Sequence, residues 1–341
     1  MDLQTLHKDY EEGWLIKQTH PTLPLTIWNY SQTTQYEGKW DEITLQCRGL
    51  VTDDKGNVVA RPFKKFFNME EGKHTPTKEF EVYEKMDGSL GIVFHYEGEW
   101  ILASRGSFTS EQSTKGRELL NKYDLDILSP GYTYLFEIIY DVNRIVVDYA
   151  FEDVVMLGCI ETTDGGECDI WDDYYASPFE LVKKYDSISD YSTLKGMIGD
   201  NEEGFVVRFS NGDRMKIKGE EYIRLHKIMT EVSTKSVWEI LSNGGSMEGL
   251  LTDVPDEFYV KIKEYENELI TQFNTLKREY EWIFNKTRNV YFEVYDKEFS
   301  RGEFATLAKG YKHPSILFNM LDGKDVGPTI WKIIQPNFKK L

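Results

Sequence analysis

The chain has 341 residues, of which 40% are hydrophobic and 14% aromatic, enough apolar material for a full core and for two domains. A net charge of −18 excludes a protein that coats nucleic acid through a broad basic surface, since phosphate affinity rests on accumulated Lys and Arg. The sequence holds no apolar run of about 18 residues and no basic start followed by an apolar block, so neither a membrane span nor a secretory leader is expected and a cytoplasmic location follows. Cys47, Cys159 and Cys168 form no C-x-x-C pair, which argues against a disulfide framework and against a thiolate zinc site.

In chain order, two basic segments come first. CRGLV (47 to 51) sets Arg48 ahead of a strand, and ARPFKKFFNMEE (60 to 71) interleaves Lys64 and Lys65 with Phe63, Phe66 and Phe67. Basic residues alternating with aromatics suit phosphate contact and stacking, and equally suit core aromatics with surface lysines. FEVYEKMDGSLGIVFHY (80 to 96) reads as two strands around an Asp87-Gly88 turn, which puts Lys85 and Asp87 at the rim of a sheet. A rim lysine acts as a nucleophile only when neutral, so neighbouring cations or burial must lower its proton affinity. Further strands are expected at WILAS, YLFEIIY, RIVVDY and VVMLGCI, with helices at 111 to 123 and 177 to 185. Glu137 interrupts the apolar run YLFEIIY, and a carboxylate there is costly unless paired or used.

EGFVVRFSNGDRMKIKG (203 to 219) carries Asn211-Gly212, the strongest short hairpin signal in the chain. A two-residue loop would pair Val207 with Lys216 and Phe205 with Lys218, putting both lysines on the apolar face, as the floor of an anion-binding cleft or as guards of an edge strand. Asp87, Glu137 and Glu203 together could hold a hydrated Mg²⁺ or Mn²⁺, or ribose hydroxyls, opposite these lysines. Past residue 220 the texture turns helical. Phe258, Ile262, Tyr265, Leu269, Phe273, Leu276, Tyr280 and Phe284 recur at spacings of three and four, as in one long amphipathic helix over 254 to 284, with shorter helices at 299 to 309 and 313 to 321. The expected architecture is therefore α+β: an antiparallel-sheet-rich domain over residues 1 to 230, then a mostly helical domain over 231 to 341.

The ordered set KMDGS, SRGS, FEIIYDVNRIV, EGFVVRF and MKIKGEEY resembles the motifs of the covalent nucleotidyltransferases, the superfamily of ligases and capping enzymes. Within it the chain most resembles the RNA ligase 1 family of T-even phages, continuously from about residue 46 to residue 222. That resemblance implies an ATP-dependent RNA ligase with three steps. Lys85 becomes lysyl-AMP, the AMP passes to an RNA 5′-phosphate, and a 3′-hydroxyl then displaces it. The same resemblance implies roles for Asp87, Glu137, Glu203, Lys216 and Lys218 in catalysis. Arg48, Lys65, Arg105, Glu137, Lys216, Lys218 and Tyr222 would hold ATP, and Asp87, Glu137 and Glu203 a Mg²⁺ or Mn²⁺ ion through water. Arg105 stands where the family often has lysine, which keeps the charge but changes its shape. The implied partner is single-stranded or nicked RNA, with broken tRNA repair by analogy through the C-terminal domain, and no membrane or protein partner. The competing readings are a DNA-end or capping nucleotidyltransferase and a non-catalytic RNA-binding module.

Overall fold

The computed structural model describes residues 2–170, 178–230, 233–251 and 256–336. The chain divides into two compact units, Met1–Met229 and Thr230–Leu341. Among the described residues the first unit has fifteen strands: β1 (Leu15–Thr19), β2 (Leu25–Tyr30), β3 (Arg48–Asp53), β4 (Val58–Ala60), β5 (Phe67–Asn68), β6 (Phe80–Lys85), β7 (Ser89–Tyr96), β8 (Glu99–Ser104), β9 (Tyr132–Ile139), β10 (Asp153–Glu161), β11 (Glu167–Cys168), β12 (Glu180–Leu181), β13 (Lys184–Tyr185), β14 (Gly204–Phe209) and β15 (Arg214–Lys218). They form three sheets, ordered β1-β2-β3-β4, β11-β10-β9-β7-β8 with β12 beside β10, and β13-β6-β14-β15-β5. Among the described residues only the β10·β12 and β15·β5 pairs are parallel.

The second sheet is apolar on both faces, as its near-continuous Val, Ile, Leu and Phe runs require. Ile92, Phe94, Leu135 and Ile160 pack against Leu25, Ile27 and Val51 of the first sheet. Val93, Phe136, Ile138, Val154 and Met156 pack with Leu119 and Leu120 of the helix Glu111–Leu120. The third sheet has its own core of Val82, Phe205, Val207, Phe209, Met215 and Ile217 around Leu194. All three cysteines are free thiols. Among the described residues no helix is long and apolar enough to cross a membrane.

Two segments depart from the sequence reading. SPFELVKKY was expected to be a helix; where described it forms β12 and β13 instead. Its apolar spacing mimics a helical stripe, but Phe179 and Val182 are buried by a strap whose backbone bonds two sheet edges, Val182 N donating to Met156 O and Lys183 O accepting from Glu84 N. Sheet edges that need partners override a weak helix preference. RIVVDY was expected to be a strand and is a loop, because the Val146 and Val147 amides donate to the Asp87 carboxylate, each at 2.9 Å. Glu167, Asp169, Asp172 and Asp173 read in the sequence as a solvated acidic turn, and of these Asp172 and Asp173 lie outside the described residues.

The second unit is helical: Thr234–Ser242, Asp256–Tyr295, Arg301–Ala308, Pro314–Leu321 and Gly327–Ile333. Ile262, Leu269 and Tyr280 are buried along the long helix, as their spacing predicts, and Tyr280 joins Ile283, Phe304, Ile316, Leu317 and Ile330 in one core. The long helix runs on past residue 284 to Tyr295.

Candidate active site

Three strands of the third sheet end together. Lys85 is last in β6, Gly204 first in β14 and Lys218 last in β15, and Gly204 is the register partner of both lysines. Residues opposite one another in a sheet point to one face, so the lysines emerge side by side with a residue lacking a side chain between them. Only glycine fits there: φ is +143°, and a Cβ would lie 1.9 Å from the Ile217 carbonyl oxygen. Glu203, 3% exposed, sets its Oε1 2.6 Å from Lys85 Nζ and 3.3 Å from Lys218 Nζ. A carboxylate this deeply buried is tolerable because two ammonium groups share it.

The hairpin that carries Lys216 and Lys218 is not the one expected. Phe209 N donates to Asp213 O at 2.8 Å and Gly212 N to Phe209 O at 2.9 Å, so the loop has Ser210, Asn211 and Gly212 in it, with Gly212 at φ +87°. One extra loop residue shifts the register by one and turns one strand over relative to the other. Lys216 therefore pairs with Val206, and Phe205 and Val207 pair with Ile217 and Met215 in the core. The two lysines face away from Phe205 and Val207, on the same side as Lys85.

Glu137, half-buried on β9, accepts a hydrogen bond from Gly88 N at 3.0 Å. Burial pushes its carboxyl up to about 7, with Lys85 and Arg48 pulling it down and Glu203 and Asp87 pushing it further up. The folded value exceeds the ordinary 4.5, so the effect on stability has a definite sign. Below 4.5 the group is protonated in both states; from there to about 7 the unfolded chain ionises more readily, and stability falls as pH rises across that window and stays lowered above it. Glu137→Gln is expected to melt with the wild type near about pH 4.5 and above it at about pH 8, as differential scanning fluorimetry at the two values would show.

Asp87 is placed differently from the metal set expected of it. Its Oδ2 accepts from Val146 N and Val147 N, each at 2.9 Å, and its Oδ1 from the Tyr222 hydroxyl at 2.9 Å. Its own amide donates to Tyr149 Oη at 2.8 Å. At 4% exposure with both oxygens engaged, this carboxylate orders the 144 to 149 loop and the helix Glu220–Thr230 around the Lys85 turn. Tyr222, expected to touch ATP, gives its hydroxyl to Asp87, and its ring lies 5.2 Å from Lys218 Nζ. Tyr222→Phe should cost about 1.5–3 kcal/mol in urea unfolding, because a buried carboxylate loses one of its donors.

The remaining cations gather elsewhere. Lys65 is buried, its Nζ 5.5 Å from the Tyr30 ring, 5.6 Å from Trp40 and 5.2 Å from Phe67. The exposed Arg105 lies over the same Tyr30 ring at 5.7 Å, and Arg48 over Phe66 at 5.8 Å. Sequence reasoning missed Tyr30 and Trp40, which carry no local signal; only folding brings them to Lys65. Among the described residues no three His, Cys, Asp or Glu side chains converge to hold a metal ion directly.

Arg48, Lys65, Lys85, Asp87, Arg105, Glu137, Glu203, Lys216, Lys218 and Tyr222 lie within a stretch, 46–232, that matches the RNA ligase family. The chain belongs to that family. An RNA ligase of Rhodothermus phage RM378 is 24% identical over 373 residues, covering 84% of this chain and 83% of its own. A protein of Autographa californica nuclear polyhedrosis virus, named as a bifunctional polynucleotide kinase/RNA ligase, is 29% identical over 54% of this chain, and the match spans 31% of the viral protein. Among solved structures, an archaeal ATP-dependent RNA ligase is similar at a TM-score of 0.48 and 15% identity, over 75% of this chain and 69% of that one. As an RNA ligase family member, the chain combines antiparallel sheets with a helical C-terminal unit.

Proposed function

We propose that this RNA ligase family chain is an ATP-dependent enzyme that joins RNA 5′-phosphate and 3′-hydroxyl ends through lysyl-AMP and RNA-adenylate intermediates. The observation that carries the reading is the Lys85–Glu203–Lys218 cluster at the ends of three strands, with Glu203 Oε1 2.6 Å from Lys85 Nζ. Nζ must lose a proton to attack, and Glu203 Oε1 is an acceptor in contact with it. As the Nζ–phosphorus bond to AMP forms, the bond to the departing pyrophosphate breaks, and Lys218 and Lys216, on the same face, stand where the negative charge needs stabilising.

Glu137 and Glu203 fit a divalent cation, Mg²⁺ or Mn²⁺, held through water. Burial holds the Glu137 carboxyl up at about 7, and that penalty on its charged form is what such an ion would relieve. The ion would neutralise phosphate charge; Asp87 is left out of this reading because its oxygens already accept from the Val146 and Val147 amides and the Tyr222 hydroxyl. Arg48, Lys65 and Arg105 serve the triphosphate in this reading.

The helical unit is assigned to RNA choice, broken tRNA included. Support comes from the long helix, which exposes Trp282, Phe292 and Tyr295 and sets Lys286 Nζ 4.6 Å from the Trp282 ring, a pattern suited to stacking bases beside a backbone contact. Three free thiols suit a reducing compartment such as the cytoplasm. The test is incubation of the full chain with α-³²P-ATP and Mg²⁺, followed by single-stranded 5′-phosphorylated RNA. A labelled protein band that is chased into sealed RNA is the expected result; no band, with ATP or GTP, after pyrophosphate treatment to strip any bound AMP, would overturn it.

A further inference from the structure

The residues assigned above to the reaction are divided between two sheets. Glu137 stands on β9 of the second, whereas Lys85 ends β6, Glu203 precedes β14, and Lys216 and Lys218 lie on β15 of the third. Beside the site the two sheets are joined by the Asp87-Gly88 turn that runs from β6 into β7, with Gly88 N donating to Glu137 at 3.0 Å. The strap of β12 and β13 joins them along one flank, through β10 and β6. Neither attachment reaches β14 or β15, on which Glu203, Lys216 and Lys218 depend.

The attachment that does is a row of charges further along the third sheet. Glu81, Arg208 and Arg214 are register partners across β6, β14 and β15, each four residues from Lys85, Gly204 and Lys218 in turn. An even spacing keeps them on the face of the lysines, and at about 3.3 Å per residue it sets them about 13 Å away. Two arginines opposite one another on adjacent strands repel. Glu81 does not offset both, since Lys184 takes its Oε1 at 2.6 Å and Arg208 its Oε2 at 2.9 Å. The further negative charge comes from the other sheet: Glu167 on β11 accepts from Arg208 Nε at 2.7 Å, and its two oxygens take the two terminal nitrogens of Arg214. Such a two-pronged contact fixes direction as well as distance.

Glu167 is therefore not the solvated acid that its acidic neighbours in the sequence imply. Its side chain is 20% exposed and that of Arg214 11%. Burial alone would raise its carboxyl, but the hydrogen bonds and charges of Arg214 and Arg208 hold it below the ordinary carboxylate range. The Arg214 guanidinium also lies 4.0 Å over the Phe63 ring, for which Gly158 of β10 leaves room, a Cβ there lying 2.5 Å from Phe63 Cζ. Phe63 stands two residues before Lys65, so the segment that leads to Lys65 is held at the same point.

We propose that Glu167 is a positioning residue for the ligase chemistry: by fastening Arg208 and Arg214 to β11 it fixes the third sheet against the second, and so sets the distance between Glu137 and the Lys85–Glu203–Lys218 cluster. This rests on the ligase reading above and adds to it a residue that acts about 13 Å from the reacting atoms.

The test is label transfer from α-³²P-ATP to the full chain, followed as the rate at saturating ATP, the ATP concentration giving half that rate, and the final fraction of chain labelled. Glu167→Gln keeps the length of the side chain but leaves Lys184, Arg208 and Arg214 with the Glu81 carboxylate alone in the row. Its saturated rate should fall about tenfold to 10²-fold, as for a misplacement of up to about 1 Å, with the half-saturating ATP concentration little changed. Arg214→Lys keeps the charge, loses the fork and should fall less; it carries the test if Glu167→Gln does not fold. In the double variant the two losses should not add, since both break one contact. Gly212→Ala disturbs the tip of the same hairpin away from the network and should keep the wild-type rate. A salt bridge that serves stability alone would lower the melting temperature and the fraction labelled while the folded chains label at the wild-type rate; that result would overturn the proposal, as would a raised ATP requirement at an unchanged rate or an equal loss in Gly212→Ala. A wild type that takes no label from ATP would overturn the ligase reading, and this one with it.

Discussion

Lys85→Ala is expected to give no labelled band with α-³²P-ATP under conditions where the wild type labels fully. Lys85→Arg should give none either, since a guanidinium stays protonated and cannot attack phosphorus. The loss should be total because the contact geometry supplies no substitute: Lys218 is tied to the far side of Glu203 Oε1 at 3.3 Å, and Lys216 lies one row further along the sheet. A fold defect would not explain the result. Removing the ammonium leaves Glu203 with Lys218, so the buried carboxylate keeps one partner, and the Lys85 side chain is itself 20% exposed. The Ala variant should therefore melt cooperatively, a few degrees below the wild type at most. The measurement pairs denaturing electrophoresis of the labelled protein with a thermal melt of the same preparation. A residual band in Lys85→Ala that resists added cold ATP would place the nucleophile elsewhere and sink the lysyl-AMP assignment.

The sequence disclosed chemistry more readily than placement. Glu137 was legible as a charge inside an apolar run, and Lys85, Glu203 and Lys218 through the short motifs in which they stand; the structure sets them around one cleft. The hairpin register was not legible from Asn211-Gly212 alone, since a glycine at positive φ serves two-residue and three-residue loops alike. The apolar alternation held the answer: Phe205 and Val207 must share a face with Ile217 and Met215, which only the longer loop allows. Asp87 shows a second limit. A carboxylate in a motif looks available for metal until the amides of residues 146 and 147, some sixty positions on, are found attached to it. Those same amides explain why RIVVDY, strand-like in composition, is a loop. Composition records what a segment can bury, whereas backbone bonding depends on what arrives from elsewhere in the chain.

Gly204→Ala is expected to lower label transfer by about 10²-fold or more, because a shift of about 1 Å at reacting groups is enough for that. The added methyl would meet Ile217 O at 1.9 Å, Ile217 C at 2.9 Å and Lys218 Cα at 3.0 Å, all of them backbone of the neighbouring strand. No rotamer change relieves such a clash, so β15 must move off β14 at the one row where Lys85, Glu203 and Lys218 meet. Gly212→Ala separates this steric effect from the cost of backbone conformation. Gly212 also has positive φ, at +87°, but an added Cβ there has nothing within 4 Å. It should lose about 1 kcal/mol of stability, keep the hairpin and keep activity. Chemical denaturation and label transfer on both variants decide the matter. If Gly204→Ala loses no more than Gly212→Ala, the close approach of β14 and β15 does not set the spacing of the lysines, and the three-strand terminus would be fold rather than site. If it loses activity far beyond its loss of stability, the glycine beside the motif acid is there because the two lysines flanking it must converge on a single carboxylate oxygen.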